Sequence, residues 1–151
     1  MMSRQQAITQ ILRDYDDGET LFVITDGILS REFYARKKDH IFCMTGSMGL
    51  VPAIALGVAL NTKKRVVAVS GDGSFLMSLG TQALLNHYNL PNLIHIIIDN
   101  GSYETTGGQR AVEIPYMDGV IVFKVKKGGE KPARIQSLKM MVERFRADVE
   151  R

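Results

Sequence analysis

Arg65-Val66-Val67-Ala68-Val69-Ser70 runs straight into Gly71-Asp72-Gly73-Ser74, and Asn92-Leu93-Ile94-His95-Ile96-Ile97-Ile98 runs into Asp99-Asn100-Gly101. Each apolar run is short, rich in β-branched side chains and closed by turn-forming residues, which predicts two strands buried on both faces. Between them, Phe75 to Asn89 carries Leu76, Leu79, Ala83, Leu84 and Tyr88 at helical spacing, so a helix burying those five is expected. The three segments make a β-α-β unit. Open α/β sheets bind ligands beyond the carboxyl ends of their strands. There each strand offers an oxygen donor, Asp72 and Asn100, 28 residues apart in sequence. A carboxylate, an amide oxygen and a nearby backbone carbonyl fill three positions of an octahedral magnesium ion, leaving the rest to diphosphate oxygens and water. Gly73 and Ser74 open the helix, where free N–H groups and the dipole favour a phosphate. Gly-Asp-Gly alone is only a turn; the flanking strands, the helix and Asn100 give it meaning.

Outward from this unit the pattern repeats. Thr45-Gly46-Ser47-Met48-Gly49-Leu50 leads into a small-residue helix, Val51 to Leu60, which feeds the first strand. Upstream, a helix is expected from Ser3 to about Tyr15, with Ser3 as N-cap and Ala7, Ile8, Ile11 and Leu12 on one face. A strand at Thr20–Thr25, a helix at Ser30–Arg36 and a short strand at His40–Met44 follow. Such alternation predicts an α/β fold: a three-layer α/β/α domain with a mostly parallel sheet. Downstream, Gly119 to Val125 reads as a strand, and Ile135 to Val149 as an amphipathic helix with Leu138, Met141, Val142 and Phe145 on its apolar face. Between Arg110 and Asp118 there is too little chain for the helix of an ordinary parallel crossover.

The 151 residues predict one domain, and 45% hydrophobic content suffices for a core. The net charge of +3 is spread over Arg36-Lys37-Lys38, Lys63-Lys64-Arg65 and the Lys124–Lys131 stretch, which flank elements rather than form a stripe, so a nucleic-acid partner is not expected. One cysteine, Cys43, in an apolar run reads as a buried hydrophobe and suits a reducing cytoplasm. No leader pattern opens the chain and no apolar stretch is long enough to span a bilayer, so no membrane association is expected.

Gly71-Asp72-Gly73 through Asn100 resembles the cofactor motif of thiamine-diphosphate enzymes, with Asp99 standing where the first of two asparagines is usual. Gly46-Ser47-Met48-Gly49 is similar to the segment that touches the aminopyrimidine ring in those enzymes. The resemblance implies that Met48 wedges the cofactor into a bent shape and that the Gly46 carbonyl accepts from its amino group. Ser30-Arg31-Glu32-Phe33-Tyr34 and the loop from Asp99 to Gln109, ending Thr105-Thr106-Gly107-Gly108-Gln109, narrow the likeness to sulfopyruvate and phosphonopyruvate decarboxylases.

From that resemblance follow the remaining expectations. Thiamine diphosphate and magnesium are the cofactors, with Asp72, Asn100 and the Ser102 carbonyl as metal ligands. Ser30, Arg31, Gly46, Ser47, Met48, Asp72, Gly73, Ser74, Asn100, Ser102 and Tyr103 form the cofactor-binding set. Tyr103, Thr105, Thr106 and Gln109 are candidates to face a small anionic 2-oxo acid or to close the site, with Thr105, Thr106 and Gln109 the candidates for a catalytic role. The glutamate that contacts the cofactor's N1′ is expected from a separate pyrimidine-domain α subunit, because Glu19, Glu32, Glu104 and Glu113 lie outside any such pattern. The chain is thus expected to act as a β-type subunit in a homo- or hetero-oligomer. Family members carry a further helix and strand between the positions of Gln109 and Gly119, so the fold is expected to be shortened near its C-terminus. Two other readings share the motif: a split acetolactate-synthase-like subunit and a non-catalytic cofactor-domain module. A nucleotide-binding Rossmann domain lacks support, since Asp26-Gly27-Ile28-Leu29-Ser30 follows the first strand in place of Gly-x-Gly-x-x-Gly.

Overall fold

Ser3 starts the first helix by a reciprocal cap: its hydroxyl accepts from the Gln6 N–H, and the Gln6 amide oxygen accepts from the Ser3 N–H. The computed structural model describes residues 1–151. In chain order the elements are α1 (Arg4–Tyr15), β1 (Leu21–Ile24), α2 (Ile28–Arg36), β2 (Ile41–Cys43), α3 (Val51–Leu60) and β3 (Val66–Gly71). Then come α4 (Asp72–Leu76), α5 (Leu79–Tyr88), β4 (Leu93–Asp99), the paired two-residue strands β5 (Ser102–Tyr103) and β6 (Gln109–Arg110), β7 (Val120–Lys124) and α6 (Leu138–Glu150).

Five strands form one parallel sheet in the order β2-β1-β3-β4-β7. On one face, Ala7, Ile8 and Ile11 of α1 and Phe33 of α2 pack on Phe22, Ile24, Val67, Val69 and Ile96. On the other, Val51, Ala55 and Ala59 of α3 pack on Leu21, Val23, Val66 and Ala68. The result is the expected three-layer fold. The β3–β4 register pairs Gly71 with Ile98, so Asp72 and Asp99 leave the sheet side by side.

α6 covers an edge rather than a face. The outer N–H groups of β2 would otherwise be open: the Cys43 N–H donates to the Met141 sulfur at 3.3 Å, and the His40 N–H donates to an Asp148 carboxylate oxygen at 3.2 Å. An edge gives a helix a narrow seat. Met141 and Phe145 are therefore buried, while Leu138 and Val142, expected on the same apolar face, stand exposed.

One further expectation is corrected. The helix from Phe75 to Asn89 is two helices broken at Met77-Ser78, and the first starts at Asp72. Its buried face is turned: Leu84 and Tyr88 are 51% and 49% exposed, while Gln82 and Leu85 are buried. Polar Gln82 is inside because its amide oxygen accepts from the His95 ring at 2.7 Å, a partner on β4. The return from β4 to β7 has no room for a helix, as the sequence indicates. Residues 100–119 make a parallel crossover without any helix, wandering over the surface instead. β7 is consequently thinly covered on both sides, with Ile121 and Val122 each about 40% exposed.

Candidate cofactor site

Gly73 shows how tightly the site is drawn. A Cβ there would lie 3.1 Å from two atoms of the Tyr103 ring and 3.3 Å from the Met48 methyl group. Any larger residue would push both side chains off the backbone of the Gly71–Ser74 turn by a few tenths of an ångström. Beside this contact opens a cleft of about 460 Å³ at the carboxyl ends of β1, β3 and β4. The turn after β3 contributes Asp72, Gly73 and Ser74 to its walls; the end of β4 contributes Asn100 and Ser102. Tyr103, Thr105 and Thr106 close one side, and Met48 stands among the other wall residues.

Ser30, Arg31, Gly46, Ser47 and Gln109 lie outside those walls. The Ser30 hydroxyl is turned inward and donates to the Gly27 carbonyl at 2.8 Å, steadying the first turn of α2. Gly46 and Ser47 are exposed, with Ser47 at φ 54°. The Gln109 amide donates to the Thr106 carbonyl at 3.1 Å and so folds the Gly107-Gly108 turn against itself.

Charge at the strand ends is unevenly settled. Burial pushes the Asp72 carboxyl above its ordinary value, against the Gly73 N–H that donates to its Oδ1 at 2.7 Å; the neighbouring Asp99 adds to the rise. Burial acts on Asp99 in the same sense, but the Lys124 ammonium and the Gly101 N–H outweigh it and hold that carboxyl below its ordinary value. Asp72 Oδ2 is buried without any hydrogen-bond partner. Leaving such an acceptor unmet is costly, and a divalent cation bound there would satisfy it. The donors around it are hard oxygens, with no cluster of three His, Cys, Asp or Glu side chains. That set suits magnesium rather than a softer metal. Asn100 Oδ1 already accepts from the Ser102 N–H at 2.9 Å, and the Ser102 carbonyl from the Glu104 N–H at 3.0 Å. Each oxygen keeps a second lone pair. The residues therefore fit a magnesium diphosphate.

Several wall residues had no signal in the motifs. Thr25, at the end of β1, donates to the Ser74 hydroxyl at 3.0 Å; its strand-end position was the available clue. Arg4 reaches the cleft from α1, bonded to Glu32 at 2.5 Å and to Glu104 at 3.0 Å. Nothing local announces a contact across 100 residues.

The family model described as thiamine pyrophosphate enzyme, C-terminal TPP binding domain, matches residues 27–140. The chain belongs to this family. Within it, the chain is 42% identical over 95 residues to sulfopyruvate decarboxylase subunit beta of Methanocaldococcus jannaschii, covering 62% of this chain and 50% of that one. It is 42% identical over 118 residues to phosphonopyruvate decarboxylase of Streptomyces hygroscopicus, covering 75% of this chain and 29% of that one. A solved thiamin diphosphate-dependent enzyme from Mycobacterium smegmatis superposes with a TM-score of 0.58 over 83% of this chain and 32% of that one, at 18% identity, which speaks for the fold alone. The chain spans between 25% and 58% of the length of the curated relatives it matches. No helix is long and apolar enough to cross a membrane.

Proposed function

We propose that residues 1–151 form one diphosphate-binding domain acting as the β-type subunit of a 2-oxo acid decarboxylase. Its substrate would be sulfopyruvate, giving sulfoacetaldehyde and carbon dioxide, or phosphonopyruvate, giving the corresponding phosphono aldehyde. The observation that carries this reading is that Asp72, whose Oδ2 is buried without a hydrogen-bond partner, lines the cleft where Met48 and Tyr103 converge on Gly73. The relatives' names supply the substrate class.

Asp72, Asn100 and the Ser102 carbonyl hold the magnesium; Gly73 and Ser74 offer N–H groups to the diphosphate. Met48 and Tyr103 orient the organic part of the cofactor and keep water from it. Thr105 and Thr106 face the substrate. When bound, thiamine diphosphate supplies the electron sink for decarboxylation. The glutamate for its N1′ comes from a pyrimidine-domain α subunit: Glu32 is sealed against Arg4, and Glu104 is shared between Arg4 and the Gly128 N–H. We place the complex in the cytoplasm, in keeping with the free thiol of Cys43.

The test is reconstitution. This chain alone should release no aldehyde from either substrate, and addition of a sulfopyruvate decarboxylase α subunit with magnesium and thiamine diphosphate should start turnover. Acetolactate as product would point to the acetolactate-synthase-like reading; robust aldehyde release by the single chain would overturn the division of labour.

A further inference from the structure

The break between α4 and α5 falls at Met77-Ser78, and it places one hydroxyl where a continuous helix would not. Ser78 Oγ donates to the Gly49 carbonyl at 2.5 Å. The Gly49 N–H in turn donates to Ser74 Oγ at 3.1 Å. Gly49 is therefore gripped at both ends of its backbone by two serines of the segment that follows β3. Ser74 is itself fixed from β1, accepting from the Thr25 hydroxyl at 3.0 Å. Gly49 has φ +95°, which an L side chain rarely adopts, and a Cβ there would stand 3.1 Å from the Met77 Cβ and 3.4 Å from the Ser74 carbonyl oxygen. The residue before it is Met48, 42% exposed and resting its methyl on Gly73. An unbranched side chain so exposed has little of its own to hold it in place. Its backbone does.

We propose that Ser78 is a positioning residue: through Gly49 it sets the height of Met48 over the Gly71–Ser74 turn, and so the shape of the cofactor that Met48 is read to bend. The proposal rests on the cofactor reading above, yet the clamp exists in the chain whether or not a cofactor is bound. Ser78 touches neither metal nor diphosphate. It acts only through the Met48 loop. Loss of its hydroxyl leaves the Gly49 carbonyl without its partner in a partly covered place, and the loop is expected to lift.

Two measurements on the whole chain decide this. The first is amide hydrogen exchange over residues 45–50 without any ligand. Ser78→Ala should exchange there about tenfold faster than the parent, as loss of one hydrogen bond implies, with α1, β1 and β4 unchanged; Ser78→Thr, which keeps the hydroxyl, should match the parent. Parent-like protection in Ser78→Ala overturns the clamp. The second compares magnesium thiamine diphosphate with magnesium pyrophosphate by calorimetry. Ser78→Ala should weaken the former about tenfold and leave the latter intact, because pyrophosphate has no ring for Met48 to meet. Equal loss of both overturns the positioning role. A parent chain that binds neither even with an α subunit present overturns the cofactor reading, and the exchange measurement still decides the clamp.

Discussion

Asp72 shows how one atom divides stability from function. Its Oδ2 is buried and unpartnered, so the charge is a burden on the folded chain in the absence of a cation. Asp72→Ala should therefore melt no more than a few degrees from the parent, or above it, while losing the stabilisation by magnesium and thiamine diphosphate. In the parent that gain should reach about 2.7 kcal/mol at a hundredfold excess over the dissociation constant. Thermal melts with and without the pair of ligands check both halves; a ligand-induced gain that survives in Asp72→Ala removes Asp72 from the metal. His95 makes a different wager. It is buried and neutral, donating to Gln82 and accepting from the Ser70 hydroxyl at 2.9 Å, and burial pulls its pKa from 6.5 down to about 4. As pH falls, the unfolded chain takes that proton first. The contribution is thus whole above about pH 6.5 and is lost between there and about pH 4, roughly 3 kcal/mol in all. Urea midpoints across that window should fall in the parent and fall less in His95→Gln.

Elements were legible where their signal is local. Ser3 as a cap, the Val51–Leu60 helix and the two strands ending at Gly71 and Asp99 follow from capping chemistry and apolar runs, and the structure has them. The motif spacing also led to the cleft, because strand register carries Asp72 to the end of β4. Illegible were features whose cause lies far along the chain. Gln82 is buried for the sake of His95, so the apolar stripe of α5 misled about its face. Ser78, at the break between α4 and α5, is bonded to Gly49, 29 residues earlier. Arg4 is the clearest case, tying α1 to α2 through Glu32 and to the β5–β6 loop through Glu104. Glu32 is fully buried, with only Gln5 as a second partner. Arg4→Ala should cost about 3–5 kcal/mol by stranding that carboxylate, whereas Glu104→Gln, removing the more exposed partner, should cost about 1 kcal/mol. Equal urea midpoints for the two variants would show that Glu32 finds another partner.

At the scale of the whole molecule the two sheet edges are treated unlike. α6 closes the β2 edge, while β7 keeps an open outer row of backbone groups under half-exposed Ile121 and Val122. Such an edge invites pairing with other chains. Val122→Lys should lower self-association at micromolar concentration in sedimentation without moving the urea midpoint by more than about 0.5 kcal/mol; unchanged association would send the search to the cleft side. One contact on that edge ties the segment before α1 to the end of β7. Met2 bridges to Val125, and the Lys126 N–H donates to the Met2 carbonyl. Translation delivers Met2 long before it delivers Val125. During synthesis the segment ahead of α1 has no strand to lie against until β7 has left the ribosome. Ribosome-arrested chains ending before Gly119 should be clipped ahead of Arg4, and chains with Lys126 clear of the exit tunnel should resist.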